Sequence, residues 1–503
     1  KDFYFRKCAT WNKTGTGNIC VRYSDDGNTF NTGGCCLFTP NMDNLFYAIG
    51  LLNSRVMDVY LGFLCPTFSF AAGDVEKIPV VCRKEWMNEI SERVKENIDL
   101  SENNWNSFET SWDFMVHPLV RCKSFSPEEV AEDAKHNIVD MNYIEEAVKR
   151  WSNECYLRFQ KLKENEEELN RIFIDIYGLQ DELTPEVEDK DVTVHRVFEN
   201  RDEVPDGMKN SNYTRTYRDE IVSLLSYAVG CMFGRYSIYK DGLIFAGEPY
   251  SLQAFADKLN DRPGTISADE LERAYRNEGV VVDEMFFPDA DNVIPITDEE
   301  YLEDDIIARL CDWLKVVYGA DTLEENLDYI AKALGNKGST SREVIRNYFV
   351  NDFFKDHCQT YSVTGSGKRP IYWLFDSGKQ NGFKALVYLH RYTPDTIGTL
   401  RVDYLHKMQR VYESEINRMQ DMMDHTTNAR EAAAASKRKD KLTKQLKECR
   451  DYDEKISHLA LSRIALDLDD GVKVNYRKLQ TAADGKFYEV LADSKNIVAK
   501  EKK

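Results

Sequence analysis

The chain has 503 residues, of which 42% are hydrophobic, 12% aromatic and 30% charged, so it is a globular protein too long for one hydrophobic core. It contains no uninterrupted run of about 18 apolar residues, which argues against a membrane-spanning helix. The formal net charge of −20 argues against a protein that binds nucleic acid over its whole surface, because such proteins carry basic faces.

The acidic charge is concentrated in the middle of the chain. Residues 1–80 contain 7 basic and 7 acidic side chains, residues 401–503 contain 22 and 18, and residues 81–400 contain 37 and 61. Since duplex DNA is a polyanion, only the two ends of the chain are predicted to approach it.

The first 81 residues have the pattern of a small domain that mixes strands and helix. VRYS (21–24) is β-prone and precedes the turn sequence DDGN. From Asn44 the apolar residues recur at helical spacing, which predicts one helix that ends at Pro66. We expect TFSF (67–70) to be extended, the Gly73-Asp74 pair to form a turn, and a final strand to close at Pro79.

Helical patterns dominate after residue 81, in 84–100 and again from Asn137. Four helix starts are predicted from a Ser or Thr that precedes an acidic residue by three positions: Ser126, Ser267, Thr297 and Thr340. Residues 368–393 predict two strands around a turn, and the last hundred residues predict a long helical hairpin or a broken long helix.

The predicted fold class is therefore α+β, helix-rich and multi-domain. It comprises a small β-containing target-recognition lobe, a helical middle and a C-terminal long helical hairpin. The predicted segments are a lobe at 1–81, a helical spacer at 82–215, a mixed α+β domain at 216–396, a coiled-coil-like hairpin at 397–466 and a tail at 467–503.

Motifs that carry chemistry are weak in this sequence. TGSGKRP (364–370) resembles a phosphate-binding loop, but Ser362 and Arg369 stand where the motif requires Gly and Ser or Thr. EVEDK (186–190) has the acid-x-Lys of metal-dependent nucleases without a convincing third ligand. The twelve cysteines show no C-x-x-C spacing, which favours reduced thiols in a cytoplasmic protein. No catalytic residue and no metal ligand is predicted.

Several blocks resemble one family. GLLNSRVMDVYL (50–61) followed by PTFSFAAGDVEKIPV (66–80) is similar to the end of the target-recognition region in BREX phage-defence adenine-specific DNA methyltransferases, the PglX family. Further blocks similar to its carboxy-terminal half lie at 5–24, 105–119, 173–187, 225–249, 291–306, 345–358, 368–396 and 467–476. Together they cover most of the chain in order.

The resemblance implies an enzyme that methylates the N6 amine of adenine with S-adenosylmethionine. Its Gly-rich cofactor turn and its Asn/Asp-Pro-Pro-Tyr/Phe loop are absent here, and the chain contains no Pro-Pro at all. We therefore expect this chain to be the part without the active site, while the catalytic domain and the cofactor site lie upstream of Lys1 in a longer parent protein.

Two sets of residues are candidate DNA contacts, because they combine cations, aromatic residues and small donors. The first set is Arg6, Lys7, Trp11, Lys13, Thr14 and Arg22. The second set is Lys368, Arg369, Lys379, Asn381, Lys384 and Arg391. The alternative for the first set is an ordinary exposed hairpin, and the alternative for the second set is a domain interface. A third basic run, with Lys437, Lys441 and Lys444 along one helical face, is more typical of a solvated helix.

The predicted function is the DNA-recognition and C-terminal region of a site-specific DNA adenine N6-methyltransferase that marks host DNA in bacterial phage defence. The alternative is a protein-interaction scaffold or specificity subunit without its own catalysis. A restriction enzyme that also cuts DNA is a third reading. The predicted partners are double-stranded DNA, other BREX proteins and phage DNA-mimic inhibitors. No membrane partner is expected, and the predicted location is the cytoplasm.

Overall fold

The computed structural model describes residues 2–15, 17–121, 142–259, 281–282, 285–335, 337–363 and 367–498. The strands in these ranges are β1 Cys8–Asn12, β2 Arg22–Ser24, β3 Gly34–Leu37, β4 Arg196–Phe198, β5 Thr214–Thr216, β6 Val281–Val282, β7 Met285–Phe286, β8 Ile294–Pro295, β9 Ser362–Val363, β10 Gly367–Lys368, β11 Tyr372–Asp376 and β12 Lys384–Tyr388.

Helices make up most of the remaining structure. They are α1 Met42–Leu52, α2 Arg55–Leu64, α3 Ala72–Val75, α4 Met87–Asn106, α5 Pro118–Arg121, α6 Ile144–Tyr177, α7 Tyr217–Met232, α8 Leu252–Leu259, α9 Ile306–Tyr318, α10 Leu323–Leu334, α11 Ser341–Asn351, α12 Phe353–Thr360, α13 Thr396–Thr399, α14 His406–His425, α15 Ala429–Ser462, α16 Val472–Leu479 and α17 Ser494–Ile497. A π-helical turn, Leu400–Leu405, leads into α14. The predicted helix-rich α+β class is confirmed.

The chain divides into two compact units that each combine separate stretches of sequence. Unit 1 contains residues 1–108 and 151–217, and unit 2 contains residues 109–150 and 218–503. The five segments predicted from the sequence are continuous stretches of the chain. That each of them is a domain stays a prediction.

Unit 1 is built around a three-stranded antiparallel sheet in the order β2-β1-β3. One hydrophobic core joins this sheet to α1, α2, α4 and the C-terminal part of α6. Gly50 on α1 permits this packing, since a Cβ there would lie 3.1 Å from Val94 Cγ2 of α4 and 3.4 Å from Phe173 Cε2 of α6. Strand β2 confirms the β-prone run at 21–24.

Three local predictions in unit 1 are wrong. The single helix predicted from Asn44 is two helices, because the Asn53 amide exchanges hydrogen bonds of 2.9 Å with both the N–H and the carbonyl of Val21. That tertiary contact stops α1 one residue before Asn53. The Gly73-Asp74 pair lies within helix α3 rather than a turn, and the residues before Pro79 form no strand.

Unit 2 contains a three-stranded antiparallel sheet in the order β11-β12-β8 and the helical hairpin α14–α15. Both the paired strands and the hairpin confirm the sequence patterns. The Thr340 cap is also confirmed, since its hydroxyl accepts from the Glu343 N–H. Thr297 is not a helix cap: Asp305 caps α9 by accepting from Ile307 N–H and Ala308 N–H. Ser126 and Ser267 lie outside the described residues.

Candidate nucleic-acid interface

Trp11, a member of the first predicted set, lies on strand β1 and is buried. The Trp11 side chain is 4% exposed, and its indole Nε1–H donates to the Phe70 carbonyl over 2.8 Å. A side chain with this environment packs the core and cannot reach a base, so Trp11 is corrected from a candidate DNA contact to a structural anchor.

The other members of the first set are exposed. Arg6 lies over the rings of Phe3 and Phe38, at 5.5 and 5.9 Å from guanidinium carbon to ring centroid. The Lys7 ammonium pairs with Asp25 Oδ1 at 3.0 Å, an arrangement that raises the pKa of Lys7 and lowers that of Asp25 to about 2. Lys7 therefore already has an anionic partner, which a phosphate would have to displace.

Lys13 and Thr14 lie on a short antiparallel ladder between two segments that are far apart in the sequence. Phe70 N–H donates to the Lys13 carbonyl over 2.7 Å, and Gly15 N–H donates to the Phe68 carbonyl over 3.0 Å. Thr14 forms the bridge with Ser69 between these bonds. The ladder therefore joins residues 13–15, which contain candidate DNA contacts, to the segment TFSF (67–70).

Arg22 lies close to the partly buried carboxyl group of Glu166. Burial raises the pKa of Glu166 to about 7, and the positive charge of Arg22 opposes this shift. Burial likewise raises the pKa of Asp58 to about 6, against the opposing charge of Arg55. The negative charge of Asp191 contributes to both shifts. When Glu166 is ionised, its negative charge therefore weakens the attraction between Arg22 and a phosphate.

Exposed aromatic residues form a feature of unit 1 that the sequence analysis missed. Phe3, Tyr4, Phe30 and Phe38 make ring contacts with centroids 4.9 to 5.8 Å apart, and Phe3 is 50% exposed. Phe63 and Phe68 are 81% and 46% exposed. No periodic pattern marks Phe63 and Phe68, and Phe70, two residues after Phe68, is buried.

The second predicted set is not brought together. Lys368 and Arg369 precede β11, whereas Lys379 and Asn381 lie in the turn after it, and the strand between them spans about 14 Å at roughly 3.4 Å per residue. The Lys368 ammonium pairs with Asp493 at 2.6 Å. Arg369 and Lys379 are exposed, and Asn381 adopts a φ of 53° in the turn.

Lys384 and Arg391 of the second set are corrected to structural residues. Lys384 is 8% exposed, and its ammonium donates to the Val350 carbonyl over 2.9 Å. Arg391 is 6% exposed, donates to the carbonyls of Phe233 and Asp289, and stacks 3.5 Å from the centroid of the Tyr250 ring. Both cations are used inside the protein and cannot contact DNA.

The basic run on α15 presents exposed lysines, and part of its charge is neutralised within unit 2. Lys441 pairs with Asp298 at 2.7 Å, and Arg438 pairs with Glu299 at the same distance. Lys437 and Lys444 are exposed. The run is therefore partly an intramolecular contact between the hairpin and the acidic middle of the chain.

The residues described do not fit S-adenosylmethionine, the cofactor that the resemblance implies. Parallel strand pairing among them is confined to β4 and β5, which have three residues each. Neither strand is followed by a Gly-rich turn into a helix, and the sequence lacks the Pro-Pro of the adenine-holding loop. No step of methyl transfer can be assigned to these residues.

The described part of the chain lacks two further features, a membrane-spanning helix and a cluster of metal ligands. None of its helices combines the length and the hydropathy needed to cross a membrane. It also contains no group of three or more His, Cys, Asp or Glu side chains arranged to hold a metal ion.

Comparison with known proteins identifies two curated relatives along nearly the whole chain. The adenine-specific methyltransferase PglX of Lacticaseibacillus casei (strain Zhang) is 37% identical over 481 residues, which cover 95% of this chain and 35% of that protein. The adenine-specific methyltransferase BrxX of Escherichia coli O9:H4 (strain HS) is 33% identical over 506 residues, which cover 99% of this chain and 37% of that protein. No family model matches the chain.

The two relatives come from different bacteria, and both matches extend over at least 95% of the chain. The chain spans only about a third of the length of either relative. The predicted resemblance is confirmed: over nearly its whole length this chain is similar to the adenine-specific methyltransferases PglX and BrxX.

Proposed function

We propose that the chain is the DNA-recognition and C-terminal region of a site-specific DNA adenine N6-methyltransferase that marks host DNA in bacterial phage defence. The observation that carries the proposal is the group of exposed cations near the start of unit 1, of which Lys7 is paired with Asp25. Residues 3–24 contain four cations and no carboxylate, and Arg6, Lys7, Lys13 and Arg22 are all exposed. Such a surface supplies the phosphate contacts that position a protein on a duplex.

In this proposal methyl transfer takes place in a part of the parent protein that these residues do not contain. That part would bind S-adenosylmethionine, while this chain would supply site recognition. The parent would act in the cytoplasm on double-stranded DNA, alongside other BREX proteins. Phage-encoded DNA mimics would inhibit it by occupying the same basic surface.

The test is duplex binding measured by fluorescence anisotropy between about 50 and 200 mM salt. The logarithm of the affinity should fall steeply with the logarithm of the salt concentration, by about 0.9 for each phosphate contact. Replacing Arg6, Lys7, Lys13 and Arg22 together by Ala should weaken binding and reduce that slope by about 3, with Lys7 contributing least because of Asp25.

A charge-matched control replaces four exposed lysines of α15: Lys437, Lys444, Lys447 and Lys455. This control should leave the affinity and the slope nearly unchanged. If the control abolishes binding and the lobe variant does not, the hairpin binds DNA and the assignment to unit 1 is wrong. If duplex binding by the native protein does not depend on salt, the scaffold alternative is favoured.

A further inference from the structure

Phe68 has an unusual backbone for a large exposed aromatic residue. Its φ is 53°, in the left-handed region that a bulky side chain rarely adopts, and its ring is 46% exposed. Residues held in this region lie disproportionately at functional sites, because the strain persists only where surrounding contacts impose it.

The contacts that impose this conformation are the ladder described above. Phe68 N–H donates to the Cys65 carbonyl over 3.0 Å, and its own carbonyl accepts from Gly15 N–H. In a regular strand residues 68 and 70 would share a face. The positive φ at Phe68 breaks that alternation, so the Phe70 ring is buried at 4% exposed while the Phe68 ring faces solvent. The strain therefore has a specific outcome, an aromatic ring fixed outside the core.

The surroundings of this ring favour a polyanion as its partner. The ladder places Phe68 opposite Gly15, next to the exposed Thr14, while Lys13, which is also exposed, lies opposite Phe70. Residues 59–73 contain no charged side chain, Asp74 directly after them is paired with Lys77 at 2.8 Å, and every charged side chain in residues 3–24 is a cation. An exposed aromatic ring next to a threonine hydroxyl, on a ladder that also carries an exposed lysine, suits a duplex, in which phosphates surround stacked bases, better than it suits an apolar protein surface.

We propose that Phe68 is a wedge residue that inserts between base pairs of the duplex, while Lys13 on the paired segment contacts a phosphate of the same duplex. This inference rests on the proposed function and deepens it. A methyltransferase that acts on one adenine must unstack that base, and an inserted ring compensates for the lost stacking. The ladder to Lys13–Gly15 would hold the ring rigid, so that little conformational entropy is lost on insertion.

The experiment compares the affinity of the 503-residue protein for an intact duplex and for the same duplex with one abasic site. The abasic duplex already has an opening in its stack, so a wedge should bind it roughly tenfold more tightly. Phe68→Asn and Phe68→Gly both accept a positive φ without the ring, and both should bind the two duplexes equally. Phe68→Tyr should retain the preference.

The matched control is Phe63→Ala, which removes a phenyl group that is 81% exposed on α2 and leaves the ladder intact. It should keep the preference for the abasic duplex. If the preference is absent in the native protein, or survives in both Phe68→Asn and Phe68→Gly, the wedge is overturned although salt-dependent binding persists. Absence of any salt-dependent binding would overturn the proposed function itself, and with it this inference.

Discussion

The pair formed by Asp305 and Arg346 in unit 2 allows a quantitative test of how a buried charge is held. The Asp305 side chain is fully buried and that of Arg346 is 8% exposed. Asp305 Oδ1 accepts from Ile307 N–H and Ala308 N–H at 3.0 Å, while Oδ2 accepts from the Thr297 hydroxyl and from Arg346. One carboxylate thus caps α9 and neutralises a guanidinium.

Asp305→Asn separates these two roles, because an amide oxygen can still cap the helix but carries no charge. It would leave a buried guanidinium without a counter-ion, which should lower the free energy of unfolding by about 3 to 5 kcal/mol. At about 1.4 kcal/mol for each factor of ten, hydrogen exchange in peptides from residues 306–318 should become about 100-fold faster or more. Adding Arg346→Met should restore most of the protection, since the buried charge is then removed as well.

The control is Glu324→Gln, which breaks the exposed ion pair between Glu324 and Arg342 on the neighbouring helices α10 and α11. Solvent screens this pair, so exchange in the same peptides should hardly change. If Asp305→Asn has as little effect as Glu324→Gln, or if the double variant is no better protected than the single one, the buried charge does not control the stability of α9.

Three further predictions concern other parts of the fold. Glu448→Ala should increase hydrogen exchange at residues 377–383 about 10-fold or more, because that carboxylate accepts from the Ser377 hydroxyl and from the N–H groups of Gln380 and Gly382; unchanged exchange would show that the turn does not need it. Phe68→Gly should change the free energy of unfolding, measured by urea titration, by less than about 1 kcal/mol. Phe70→Gly should lower the same free energy by about 3 kcal/mol or more. Equal losses in the two variants would contradict the outward position of the Phe68 ring. As the pH rises from about 4 to 7, the melting temperature of unit 1 should fall relative to that of Glu166→Gln, since the raised pKa of Glu166 keeps its proton in the folded state after the unfolded chain has released it. Comparing the two proteins cancels the opposite contribution of the partly buried His195, whose pKa is lowered to about 3. A difference in melting temperature that does not change with pH would exclude Glu166.

The sequence predicted those elements that local rules determine. The spacing of apolar residues indicated α6, α14 and α15, the Thr340–Glu343 pair marked the start of α11, and the two strands around residue 380 followed from β propensity and turn residues. In each of these cases the interaction that decides the structure lies within a few residues of the signal.

The remaining features depend on partners that are distant in the sequence. The break between α1 and α2 requires the contact of Asn53 with Val21, and the outward ring of Phe68 requires the ladder to Gly15. Lys384 and Arg391 resemble surface cations in the sequence, yet the structure surrounds them with carbonyl groups from other elements. A charged residue with buried acceptors cannot be told from a solvated one without the tertiary fold.

The pairing of the α15 cations with the acidic middle of the chain changes how the net charge of −20 should be understood. Arg438 and Lys441 neutralise Glu299 and Asp298 at short range. The hairpin thus acts as a tethered counter-ion for the acidic segment, and it weakens the repulsion that this segment exerts on a polyanion. Salt would loosen this contact while it screens the basic lobe, so ionic strength would act on both surfaces at once. The electrostatic character of the protein is therefore a property of how the chain is folded back on itself, and a sum over its residues conceals it.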